Sequence, residues 1–201
     1  MKCELDLFRK LIKEKYQDNQ EEIIKTLNSL DARIMFAEYH FYEYKQITNE
    51  ENWYIISQAN IVACMQNLHS SHDILGYLIY FLLELEFDTP KNIYLNKVFS
   101  KIDKSKYTYL IELLDKLINH DDFKYLNAYT NHSKHRHIVN PIFNLGIPDI
   151  KKFGFSFDAF KYDKNNYEKR KVDEFLTNEY NREFQLIIQI ENELINIIEN
   201  K

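Results

Sequence analysis

EENWYIISQANIVACMQNLHSSHDILGYLIYFLLEL, residues 50–85, decides the fold. Trp53, Ile56, Ala59, Ile61, Ala63, Leu68, Leu75, Leu78 and Leu82 recur on a helical repeat, and the run is far too long for a strand. Just before it, Thr48 or Asn49 can accept the first free backbone donors, with Glu51 close by. The spacing therefore predicts one long helix. Its middle, Asn67-Leu68-His69-Ser70-Ser71-His72-Asp73-Ile74-Leu75, is polar, whereas the turns after it are apolar on all sides. His69 and Asp73 stand four apart, so one carboxylate can orient one imidazole. A helix wet in its middle and dry beyond borders a pocket or a subunit interface, or is simply capped or bent.

Working outward, the flanks repeat the pattern. Leu5, Phe8, Leu11 and Ile12 predict a short amphipathic helix that closes at Gln17-Asp18-Asn19-Gln20. Ile23, Ile24, Leu27, Leu30, Ile34, Phe41 and Tyr44 predict a second over about 21–46, with Glu21 and Glu22 at its positive end. Arg33 and His40 on it loosely form an Arg followed by a His, a pairing that chance produces often. After Asp88-Thr89-Pro90 the chain reads as a short helix or irregular segment. Leu110, Leu113, Leu114 and Leu117 then predict a helix over about 106–119, and Phe123, Leu126 and Ala128 another that Pro141 ends. Phe143, Leu145 and Ile147, then Phe153, Phe155 and Phe157, alternate with period two and predict a small β-hairpin or flap over about 142–160. Residues 163–170 read as a polar connection. A final helix over about 172–198 carries Phe175, Leu176, Tyr180, Phe184, Ile187, Ile188, Ile190, Leu194, Ile195 and Ile198. The fold class is all-α, a single domain over residues 1–201.

Composition agrees. The 201 residues hold three Gly and three Pro, too few for the turns of a strand-rich fold. The formal net charge of -5 opposes a general nucleic-acid coat, so a polyanion site must be local. Cys3 and Cys64 have no metal-ligand spacing, and Met1-Lys2-Cys3-Glu4-Leu5-Asp6 lacks the apolar centre of a secretory signal. The longest apolar run, residues 74–83, is about half of what crosses a bilayer. These features lead us to expect a cytoplasmic protein that does not act at a membrane.

One stretch breaks the acidic balance: Tyr129-Thr130-Asn131-His132-Ser133-Lys134-His135-Arg136-His137-Ile138-Val139. On a helix continuing to Ile138, a spacing of four sets Asn131 beside His135, and one of three sets Lys134 beside His137. Three chemistries compete. His132 and His135 have a spacing that can share a metal ion, but no carboxylate or Cys accompanies them and no His-Glu-x-x-His is present. A solvated basic patch would complement the negative end of a helix. Phosphodiester chemistry without metal needs an imidazole to take the proton of a ribose 2′-OH and a cation to meet the charge building on phosphate. The 2′-OH is then the nucleophile, which accounts for the lack of a Ser or Cys candidate.

The helix order, the segment from Leu68 to Leu75 inside a long helix, and Asn131-His132-Ser133-Lys134-His135-Arg136 ahead of an extended segment resemble the HEPN superfamily, in its Asn-x-x-Lys-His-Arg branch. The resemblance implies an antiparallel helical bundle with the hairpin after the motif helix, commonly a homodimer. It further implies an RNA-interacting protein, in active relatives a metal-independent endoribonuclease of toxin–antitoxin or phage-defence type, without cofactor and with a cognate antitoxin or other protein partner. Carried over by position, His135 and Asn131 are the catalytic candidates; Lys134, Arg136 and His132 are the substrate-binding ones. The position usually held by Arg is Thr130, which has no charge for phosphate. The alternative is therefore a catalytically inactive helical dimer that binds a protein or nucleotide partner.

Overall fold

A computed structural model of the chain describes residues 4–46, 51–87, 89, 93–145 and 154–201. The expected start signal at 48–50, the proline break at Pro90 and the tip of the flap, residues 146–153, lie outside them. Among the described residues, helices dominate: α1 (Leu5–Lys15), α2 (Gln20–Glu43), α3 (Trp53–Leu82), α4 (Leu95–Lys101), α5 (Thr108–Ile118), α6 (Asp121–His135) and α7 (Val172–Glu199). Five short strands lie between α6 and α7 among the described residues: β1 (Pro141–Asn144), β2 (Gly154–Phe157), β3 (Phe160–Tyr162), β4 (Asn165–Tyr167) and β5 (Arg170–Lys171). None of the helices is long and apolar enough to cross a membrane.

The chain divides into two compact units, neither continuous in sequence: Met1–Ile34, Ser70–His120 and Arg182–Lys201 form one, and Met35–His69 with Asp121–Asn181 the other. The first is helical and mostly aliphatic inside. Phe8, Ile12, Ile23, Leu27, Leu75, Leu78, Leu113, Leu117, Ile190 and Leu194 are buried in it, at positions the helical repeat marks. Gly76 lets α4 approach α3 closely, because a Cβ there would come within 2.8 Å of the Leu95 backbone nitrogen. The Leu82 carbonyl at the end of α3 accepts from Tyr16 Oη at 2.6 Å and Lys201 Nζ at 2.8 Å, which satisfies one of the helix's orphan acceptors. Buried between α3 and α7, His72 Nε2 lies 2.9 Å from Glu183 Oε1.

The second unit has an aromatic core. Phe41, Tyr44, Tyr125, Tyr129, Phe157, Phe160, Phe175 and Tyr180 cluster with Leu68, Met65 and Cys64. β1 pairs antiparallel with β2, Pro141 opposite Phe157 and Asn144 opposite Gly154, and β2 pairs with β5. The period-two alternation thus forms a hairpin-like ladder with Phe157 in the core. The expected polar connection is more ordered than its composition suggests, since β3 and β4 pair within it and turn at Asp163, where φ is 53°. Arg170 lies over the Tyr125 ring, 4.5 Å from its centroid, and forms an ion pair with Asp122. Burial pushes the Tyr125, Tyr129 and Tyr180 phenols well above their ordinary pKa.

Candidate functional site at the end of α6

α6 starts acidic and ends basic, with Asp121 and Asp122 in its first turn and His132, Lys134 and His135 in its last, the order that suits a helix dipole. It stops at His135, well ahead of Pro141 and short of the expected Ile138. The cause lies in its own side chains. His132 Nδ1 donates to the His137 carbonyl at 3.1 Å, Tyr129 Oη donates to the Val139 carbonyl at 3.0 Å, and Ser133 Oγ accepts from the Val139 N–H at 3.5 Å. These bonds fold the chain back over the last turn, and buried Val139 secures it. Lys134 and His137 therefore do not face each other on a continuous helix.

This turn separates the candidates. His132 is only 5% exposed, and its ring lies 5.5 Å from Phe160 and 4.5 Å from His137. It acts as a fastener for the turn and takes no part in its outer surface. Lys134, His135, Arg136 and His137 are all exposed. His132 and His135, whose spacing would suit one metal ion, thus lie in different surroundings. Thr130, at the usual Arg position, is 0% exposed, and its Oγ1 meets no hydrogen-bond partner among the described residues.

Asn131 is half-buried and belongs to a polar line. Its Nδ2 donates to Asn127 Oδ1 at 2.8 Å, and the same oxygen accepts from His69 Nε2 at 3.0 Å. Asn127, Asn131 and His135 follow one another at a spacing of four, so one stripe of α6 carries polarity from the buried His69 of α3 to an exposed imidazole. His69 reaches Asn131 of the basic run only through Asn127. His72 instead pairs with Glu183, and Asp73 lines a cleft of about 400 Å³ with Glu22, Lys25, Thr26 and Tyr77. A second cleft, of about 360 Å³, surrounds Arg170 and Lys169. Neither includes a residue of the basic cluster. His40, paired loosely with Arg33 in sequence, donates to Asn60 at 2.7 Å.

Asn127 is the residue that sequence reasoning passed over. Its signal was the spacing of four shared with Asn131 and His135, hidden because Asn127 sits among apolar neighbours before the basic run begins.

Compared with known proteins, the chain matches no family model, no curated protein and no solved structure.

Proposed function

We propose that the chain interacts with RNA through the exposed end of α6, and that it cuts RNA there without metal. The observation that carries this reading is the hydrogen-bonded line from His69 through Asn127 to Asn131, one turn from exposed His135, with Lys134 and Arg136 on either side of that histidine. In this reading neutral His135 takes the proton of a ribose 2′-OH. The resulting oxygen attacks the adjacent phosphorus, a 2′,3′-cyclic phosphate forms, and the departing 5′-oxygen takes a proton from solvent. Lys134 and Arg136 meet the phosphate charge, and Asn131, held by Asn127, orients His135 or the substrate. His132 drops out of the substrate-binding set and holds the turn. Such an activity would suit a toxin–antitoxin or phage-defence protein with an antitoxin partner.

A second reading, RNA or nucleotide binding without turnover, is favoured by Thr130, because the position expected to carry a guanidinium is sealed in the core. One experiment separates the two. Purified protein incubated with single-stranded RNA in EDTA is expected to yield 2′,3′-cyclic phosphate ends, with His135→Ala inactive and the DNA of the same sequence uncut. Binding without cleavage would select the second reading, and neither binding nor cleavage would remove both.

A further inference from the structure

The cleft of about 400 Å³ in the first unit, between the first half of α2 and the second half of α3, takes no part in the α6 site. Its volume is that of a small-molecule pocket. Ile74 and Tyr77 of α3, with Ile93 ahead of α4, make its apolar walls. The Tyr77 ring is braced from behind by Tyr80 and Phe81, whose ring centroids lie 5.7 and 4.8 Å away.

The polar atoms of the lining are mostly acceptors. Glu22 and Asp73 contribute carboxylates, and among the described residues neither carboxylate forms an ion pair or a hydrogen bond. The two hydroxyls have spent their protons on the helix that carries them. Thr26 Oγ1 donates to the Glu22 carbonyl at 2.8 Å and Ser29 Oγ to the Lys25 carbonyl at 2.7 Å, so each offers the cleft only its lone pairs. Lys25, the cation of the lining, is engaged by Glu21, which lies outside it. Burial first, and then the charge of Glu22, raise the Tyr77 phenol above its ordinary pKa, so that carboxylate acts on the aromatic wall.

We infer that this cleft binds a primary ammonium carried on a small apolar body, an aryl or alkyl amine. An ammonium brings three donors and no acceptor, the complement of a lining with acceptors in surplus. Its charge meets Glu22 and Asp73 and is attracted by the face of the Tyr77 ring. Its apolar body covers Ile74 and Ile93 and removes them from water. A neutral molecule of the same shape forgoes both carboxylates, and an anion is repelled by them.

The inference stands apart from the RNA reading, and its failure would leave the cleavage experiment untouched. The test is a ligand-observed NMR titration of the full chain at pH 7 with 2-phenylethylamine, alongside its neutral match 2-phenylethanol and its anionic match phenylacetate. Wild type is expected to bind the amine saturably, at least ~10-fold more tightly than the alcohol, and to ignore the anion. Glu22→Gln and Asp73→Asn each remove a charge and keep the shape. Each is expected to weaken the amine about 3-fold, and the two together about 10-fold, with the alcohol unchanged and circular dichroism confirming the fold. No saturable binding of the amine, equal affinity for amine and alcohol in wild type, or an unchanged amine affinity in the double variant would overturn the inference. If the double variant does not fold, the single variants decide: amine binding as tight as in wild type in both would overturn it.

Discussion

His69 and His72 lie three residues apart on one helix, and the two units use them in opposite ways. In the first unit, His72 meets a carboxylate, Glu183, with both side chains at or below 5% exposure. In the second, His69 donates to a neutral amide, which accepts in turn from Asn131 at the edge of solvent. The first is a buried pair with Arg182, itself partly exposed, 3.8 Å from Glu183; the second ends at half-buried Asn131, one turn before exposed His135.

The contrast can be broken most forcefully at Glu183. Glu183→Ala takes the carboxylate away from His72 and from Arg182, 3.8 Å away, and is expected to cost about 1–3 kcal/mol, read as a fall in denaturation midpoint. An unchanged midpoint would show that the pair is not structural. Alkali should probe the other unit. Burial, aided by Asp173 at Tyr44 and by Glu38 at Tyr180 and opposed by Arg170 at Tyr125, raises the phenols of Tyr44, Tyr125, Tyr129 and Tyr180. A phenol whose folded pKa is raised binds its proton more tightly in the folded state. Its stabilisation is complete below the unfolded value of about 10 and is lost as pH rises above it. Stability measured by circular dichroism should thus fall above pH ~10 together with phenolate absorbance, and an early, freely titrating set of all four would contradict this packing.

Smaller effects refine the comparison. Asn127→Ala removes the acceptor shared by His69 and Asn131 and is expected to cost about 1–3 kcal/mol, while lowering RNA cleavage more than the loss of stability accounts for. Asn127→Asp keeps an acceptor and should recover the stability. Gly76→Ala, which must displace the Leu95 backbone, is expected to cost about 1–3 kcal/mol without touching RNA binding. Tyr129→Phe loses one bond to the Val139 carbonyl and should cost about 1 kcal/mol, with faster hydrogen exchange in the turn after α6.

The helices were readable because their apolar spacing survives in the buried residues: Leu110, Leu113, Leu114 and Leu117 are all inside, as are Ile23, Leu27 and Leu30. The β1/β2 ladder lies where the alternation placed a hairpin, but of the alternating residues described only Phe157 is buried, Phe143 and Phe155 are partly so and Leu145 is exposed. What escaped has physical causes. β3, β4 and β5 are two or three residues long, and polar Asn165, Asn166 and Arg170 give no period to detect. α6 stops where buried side chains capture backbone carbonyls, an event that depends on the folded core and leaves no stop residue in the letters. His132 looked like a member of a basic cluster because its neighbours in sequence are basic; its neighbours in space are Phe160, Tyr162 and His137. The exposed cations and His135, by contrast, stand where a polar helix end would place them.

The most direct test of the α6 tip as the RNA-binding surface is the salt dependence of single-stranded RNA binding, measured by fluorescence anisotropy for wild type and for Lys134→Ala with Arg136→Ala. Wild type should bind more weakly as salt rises, and the double variant should bind more weakly at low salt with a shallower slope, by about 0.7 for each phosphate no longer neutralised. Equal affinity and equal slope in the two proteins would contradict the account.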